Sequence, residues 1–373
     1  MSADLPGALA GDRKDDHVRL VAAQHAGGPR RNGFDDVAFL HHALAGIDAD
    51  RVDLGTEVAG ARWPLPFYVN AMTGGSDATG RINRDLAIAA RETGVAIASG
   101  SISIALDDPS RLPSFRVIRQ ENPDGFVMAN LGVERSPDDA RRAVEVLDAD
   151  ALQVHLNAVQ ETVMPEGSRS FSRWESSLEA LLAAVEVPVI VKEVGFGLSA
   201  RTLSRLRALG VTLADVSGSG GTDFARVENA RRAGGEYAYL AGWGQSTVEC
   251  LLDAPADAPT LLASGGVRGP LDIARALALG ARAVGVSGSF LTTVLDEGAE
   301  GLVARVRDWT GQLTALLALV GAASPDRLTG TDLVVRGATA EYCRARGIDV
   351  AALSRRSEPP AGAERPPSER NPE

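Results

Sequence analysis

The chain has 373 residues, 45% of them hydrophobic, enough for a large globular core in one or two domains. Its 38 Lys and Arg stand against 49 Asp and Glu, a net charge of −11 with no basic stripe, which argues against a nucleic-acid partner. Two cysteines, Cys250 and Cys343, lie far apart and outside any Cys-x-x-Cys or metal-ligand spacing, so both are expected to be buried, reduced thiols.

The first 17 residues, "MSADLPGALAGDRKDDH", lack the apolar core of a signal peptide. Residues 1–66 are expected to form an N-terminal arm. Within it "RKDDH" places Arg13 and His17 at helical i, i+4 spacing with Lys14 beside Arg13, a pattern that by itself fits a solvated helix face.

Eight short apolar runs follow, bounded by Gly, Asn or Pro: 67–72, 95–100, 125–132, 151–157, 188–195, 213–218, 260–266 and 283–288. Ala/Leu-rich helical patterns lie between them at 81–94, 138–149, 175–186, 199–210 and 270–280, three ending at Gly. The linker 109–123 is a poor helix, and the interval 219–259 is long. Strands that are apolar throughout imply burial on both faces, and eight such units within about 220 residues fit a closed (β/α)8 TIM barrel better than an open sheet. From about residue 299 to 353 a C-terminal helical extension is expected, completing a barrel domain over 67–353. Its apolar stretch 313–323 is too short to span a bilayer, so a soluble, cytoplasmic protein without membrane contact is expected. Residues 354–373, rich in Pro, Glu, Arg and Ser, should be a disordered tail.

In such barrels chemistry sits where strands end. "SGGVRGPLDIARAL" and "VSGSFL" follow the seventh and eighth runs, where Gly265 and Gly266 let backbone N–H groups approach an anion and a helix beginning near Pro270 adds its dipole. "SGSGGTDF" after the sixth run is a similar but weaker anion-cradling loop. Lys192 interrupts an apolar strand; it either points into the barrel mouth towards an anion or pairs with Glu193, and its place on the rim favours the first. His155 and Asn157 share one strand face, with Gln160 and Glu161 on the loop beyond. No histidine-rich spacing suggests a resident zinc, but one carboxylate could hold Mg2+ against a diphosphate.

In collinear order from Arg13 to about Ile348, "RKDDH", "NAMTGG", "ASGS", "HLNAVQE", "VIVKEVG", "VSGSGGTDF", "GWGQST", "LASGGVR" and "ALALGARAVG" together resemble the type 2, flavin-dependent isopentenyl-diphosphate isomerases. The resemblance implies a barrel carrying FMN, a need for Mg2+, and interconversion of isopentenyl and dimethylallyl diphosphates without net redox change, the flavin first being reduced by a nicotinamide cofactor, NADPH. It implies FMN contacts from Ala71, Met72, Thr73, Ser101, Asn130, Lys192, Thr222, Gly265, Gly266, Arg268, Gly288 and Ser289. Diphosphate contacts would come from Arg13, Lys14, His17, Ser101, His155 and Asn157, with Gln160 beside the allyl group and Glu161 on Mg2+. Catalytic roles would fall to Gln160, His155 and Lys192, with reduced flavin as the acid/base group. The family resemblance also implies a homo-oligomer, a tetramer or octamer. One departure stands out. Ser103 occupies a position where many members carry a diphosphate-binding arginine, so a neutral hydroxyl replaces a charged fork. An FMN-dependent α-hydroxy-acid oxidase or dehydrogenase is the rival expectation, weakened because the sixth loop has no histidine to act as base.

Overall fold

The computed structural model describes residues 9–25, 28, 30–232 and 234–358; the side chains of residues 9–14 lie outside that description. Eight parallel strands close into a barrel in chain order. They are β1 (Phe67–Val69), β2 (Ala96–Ala98), β3 (Val127–Gly132), β4 (Ala151–His155), β5 (Val189–Lys192), β6 (Leu213–Asp215), β7 (Thr260–Ser264) and β8 (Val284–Val286). The last is shorter than its apolar run, because Gly288 already begins the next helix.

Residues of alternate parity go to two different cores. Phe67, Val69, Ile97, Val127, Ala129, Leu152, Val154 and Val191 face the surrounding helices. Tyr68, Ala96, Ala98, Met128, Ala151, Ile190, Leu213 and Leu262 fill the barrel interior. A two-residue period in which both faces are buried explains why the strands read as unbroken apolar runs. Continuing the inward parity towards the strand ends gives Asn70, Asn130, Gln153, His155, Lys192, Asp215 and Ser264. The interior therefore changes from apolar to polar within one or two steps of each strand.

The arm closes the opposite end. A hairpin of Thr56–Val58 with Ala61–Trp63 brings Trp63 onto Tyr68 and Phe126, with ring centroids 5.6 and 5.1 Å apart. Val37–Phe39 pairs antiparallel with Leu333–Val335, so the arm and the C-terminal extension are joined. The poor-helix linker forms a 3-10 turn, Pro109–Arg111, and a helix, Pro113–Glu121, each opened by proline at its first turn. The interval before β7 holds two short helices, Phe224–Ala230 and Thr247–Leu252.

After β8 a helix runs Gly288–Val320, broken at Gly298, whose φ of 66° a side chain would resist. Residues expected to begin the tail are anchored instead: Ser357 donates to Asp332 through its amide at 2.8 Å and its hydroxyl at 2.7 Å, and Arg356 donates to the Ala278 carbonyl. Residues 359–373 of that tail lie outside the described residues. Among the described residues no helix is long and apolar enough to cross a membrane.

Candidate active site

A cavity of about 980 Å³ opens over the C-terminal ends of the strands. His17, Ala71, Met72, Thr73, Ser101, Ser103, Asn130, His155, Asn157, Gln160, Glu161, Lys192, Thr222, Gly265, Gly266, Arg268, Gly288 and Ser289 all line it. Arg13 and Lys14 belong to the helix Leu9–His25, but their side chains lie outside the described residues. That helix docks beside the mouth, where Ser76 Oγ donates to Asp15 at 2.6 Å.

On the floor a hydrogen-bonded chain crosses the barrel. His155 Nδ1 meets Asn130 Oδ1 at 3.0 Å, and Asn130 Nδ2 donates to Gln153 Oε1 at 3.1 Å. Gln153 Nε2 donates to Asn70 Oδ1 at 3.4 Å, and Asn70 Nδ2 donates to Asp215 Oδ2 at 3.3 Å. Tyr68 and Ser264 add their hydroxyls to Asp215 at 2.9 and 2.7 Å. Because the Asn130 oxygen is the acceptor, His155 carries a proton on Nδ1.

Strand register aligns His155 with Lys192 and Lys192 with Asp215. Burial lowers the Lys192 pKa, opposed by the charges of Asp215 and Glu193. Its Nζ donates to the Glu193 main-chain carbonyl at 2.7 Å. The Glu193 carboxylate turns instead to the amides of Val194, Gly195 and Phe196, at 2.6 to 3.0 Å. Of the two alternatives for Lys192, the geometry therefore favours the barrel mouth over a side-chain pair with its neighbour.

The β4 loop forms a short helix, Ala158–Val163. Glu161 accepts from Asn157 Nδ2 at 3.0 Å and from the Ser168 amide at 2.9 Å. Burial raises its pKa, aided by the charges of Glu134 and Glu228 and opposed by those two hydrogen bonds. Among the described residues no cluster of three or more His, Cys, Asp or Glu side chains could hold a metal by itself. Glu161 is then a single hard oxygen donor, suited to Mg2+ only if diphosphate and water complete the shell.

Gln160 donates Nε2–H to Glu228 at 2.8 Å. Glu228, fully buried on the helix Phe224–Ala230, also lies 3.1 Å from His17 Nε2 and 2.5 Å from Arg231. Burial works against its charge, but His17, Gln160 and Arg231 outweigh it and bring its pKa down to about 2. Nothing in the long interval 219–259 sets Glu228 apart from a solvent-facing residue in the sequence. Asp215 was more legible, since it interrupts β6 as Lys192 interrupts β5.

For a flavin phosphate, the fit rests on several features. Gly265 and Gly266 adopt φ of 94° and 77°, and a Cβ at Gly265 would lie 2.0 Å from the Gly218 carbonyl, so side chains are excluded there. Thr73 Oγ1 is buried without a partner at the cavity wall, an orphan that a ligand can satisfy. Ser101 Oγ donates to Ser103 Oγ at 3.1 Å, so the residue at the departure point serves its neighbour. Arg268 is tied closely to the protein. Its guanidinium is bidentate to Asp35 at 2.8 Å, bonded twice to Asp272 at 2.8 and 3.1 Å, and bonded to the Arg30 carbonyl at 3.0 Å. All five of its N–H donors are engaged by the protein, which braces the β7 loop where it lines the cavity.

This barrel, with an anion cradle over β7 and β8, defines a class: residues 121–335 match the family of FMN-dependent dehydrogenases. Two solved structures share the fold, a flavocytochrome b2 with benzoylformate (TM-score 0.61, 20% identity, covering 83% of this chain and 77% of that one) and a mandelate oxidase with a monooxide FMN adduct (TM-score 0.61, 19% identity, 89% and 98%). Over nearly the whole chain the similarity is more specific. It is 59% identical over 345 residues to the isopentenyl-diphosphate delta-isomerase of Kitasatospora griseola, covering 92% of this chain and 95% of the relative. The enzyme of that name from Streptomyces sp. (strain CL190) is 56% identical with the same coverage, and that from Lacticaseibacillus paracasei is 45% identical over 90% of this chain and 97% of its own. The chain belongs to the isopentenyl-diphosphate delta-isomerases, in their FMN-dependent, type 2 class.

Proposed function

We propose that this chain interconverts isopentenyl and dimethylallyl diphosphates in isoprenoid biosynthesis, with reduced FMN in the cavity and Mg2+ on the diphosphate. The observation that carries the proposal is the near full-length identity to isomerases, joined to a single cavity that gathers the described chemistry-bearing residues. When bound, reduced FMN would supply the acid/base group and a negatively charged ring that favours cationic character at the branched carbon.

The chain's own residues then divide the remaining work. Thr73, Ser101, Asn130, Thr222, Gly265, Gly266, Gly288 and Ser289, with the backbone at Ala71 and Met72, hold the cofactor, and Arg268 braces the loop that carries two of them. Lys192 stabilises negative charge on the ring, and Asp215 compensates that buried ammonium. His17, His155 and Asn157, with Arg13 and Lys14 of the arm, hold the diphosphate. Glu161 holds Mg2+ against it. Gln160 orients the allyl group, its amide fixed by Glu228. Ser103 offers one hydroxyl where a guanidinium would offer charge, so the metal and the arm carry more of the diphosphate's charge.

NADPH is the proposed reductant and the cytoplasm the proposed compartment. A tetramer or octamer is the proposed assembly, supported by the exposure of Leu44 and Leu319 on neighbouring segments, since Gly46 approaches the Ala318 and Leu319 carbonyls. The test is product analysis of isopentenyl diphosphate incubated anaerobically with the protein, FMN, NADPH and Mg2+. Formation of dimethylallyl diphosphate supports the proposal, and its absence with flavin bound refutes it.

A further inference from the structure

The last residue of the helix Leu9–His25 enters the anion cradle. His25 Nε2 lies 3.2 Å from Thr222 Oγ1, on the β6 loop. It also approaches residue 288 so closely that a Cβ there would lie 2.3 Å from Nε2, although Gly288 opens the helix after β8. The imidazole thus sits between two independent walls of the cradle, and its approach gives a steric reason for glycine at 288.

The arm holds it in place. Gln24 makes a reciprocal pair with the Asp223 main chain, donating to its carbonyl at 3.1 Å and accepting from its amide at 3.0 Å. Asn32, beyond the helix, donates to the Gly266 carbonyl at 2.8 Å. These contacts tie the arm to the β6 and β7 loops on either side of His25.

We propose that His25 is a ligand of the FMN phosphate, supplied by the N-terminal arm to a cradle otherwise built by the barrel. The inference rests on FMN being the cofactor and on its phosphate lying over β7 and β8. Through His25 the arm that carries the diphosphate-binding residues is also bound to the cofactor. Loading of flavin then favours the docked arm.

The experiment compares dissociation constants of FMN and riboflavin, which share the ring system and differ in the phosphate, for the wild-type full chain, His25→Ala and His25→Gln. Flavin fluorescence supplies the readout, independent of turnover. The expected result is that wild type prefers FMN, that His25→Ala weakens FMN by about tenfold, the worth of one hydrogen bond to a charged group, and that riboflavin is unchanged. His25→Gln, which keeps a donor, should recover part of the loss. Equal weakening of both flavins, or no change in either, overturns the role of His25. A wild type without preference for FMN overturns the phosphate-site reading itself. A shared loss of helical signal in both variants would place His25 in the fold and also count against the proposal.

Discussion

Gln160 and Glu228, 68 positions apart, share a hydrogen bond of 2.8 Å that joins the helix after β4 to the helix after β6 across the cavity wall. A primary amide is a weak acid and a weaker base, so the role proposed for Gln160 is orientation, which the Glu228 carboxylate would set. Because Glu228 accepts the Gln160 N–H, the Gln160 oxygen is the end left to face Asn157, 3.5 Å away, and the cavity. Glu228→Gln keeps the volume but removes the charge and allows the amide to flip. We expect kcat to fall by about a hundredfold, within the range for a misplaced proton-transfer geometry, with FMN affinity retained. Steady-state kinetics beside a flavin titration check this; a normal kcat would remove Glu228 from the account.

Glu161→Gln should act on the metal. The amide cannot supply a charged oxygen to Mg2+, so the Mg2+ concentration for half-maximal activity should rise by about tenfold or more with little change in FMN binding. Loss of FMN with unaltered Mg2+ dependence would place the β4 loop in the wrong role.

Lys192→Ala tests the charge on the floor. Removing the ammonium leaves Asp215 as an uncompensated buried carboxylate and deprives a reduced ring of its positive neighbour. The spectrum of the reduced flavin should shift towards the neutral form, or FMN should bind at least about tenfold more weakly. Unchanged affinity and an unchanged reduced spectrum would contradict the assignment.

Glu193 gives a pH dependence. Burial lifts its pKa to about 7, against the three loop amides and Lys192, from an ordinary value of 4.5. The folded protein therefore keeps a proton that the unfolded chain has released, so this contribution to stability is full below pH 4.5 and lost as pH rises through about 7. The shift corresponds to roughly 3 kcal/mol. Urea midpoints at pH 5 and pH 8 should differ more in wild type than in Glu193→Gln, and equal slopes in the two would be the contrary result.

The barrel was legible because its strands are buried on both faces, which leaves unbroken apolar runs separated by helical ones. Lys192, His155 and Asn157 were legible for the complementary reason: polar groups at inward parity near strand ends have few structural uses. Asp215 carries the same signature in "LADVSG". Glu228 was not legible, because on a helix a carboxylate is unremarkable until tertiary packing buries it against Gln160, His17 and Arg231. The saturation of Arg268 was equally hidden, since Asp35 comes from the arm, 233 positions away. The resemblance implies an FMN contact for Arg268, and only the closed fold shows which protein groups its donors meet. His25 lies just beyond the recognisable "RKDDH" pattern, and its use depends on where the helix ends.

In the proposed reaction flavin serves without being consumed. Its most direct test is the number of turnovers per reductant. With FMN reduced once under strict anaerobiosis, no further reductant and excess isopentenyl diphosphate, the expected result is many molecules of dimethylallyl diphosphate per flavin and a flavin still reduced at the end. At most one product per flavin, with the flavin oxidised in step, would contradict it and return the chain to the redox chemistry of its barrel relatives.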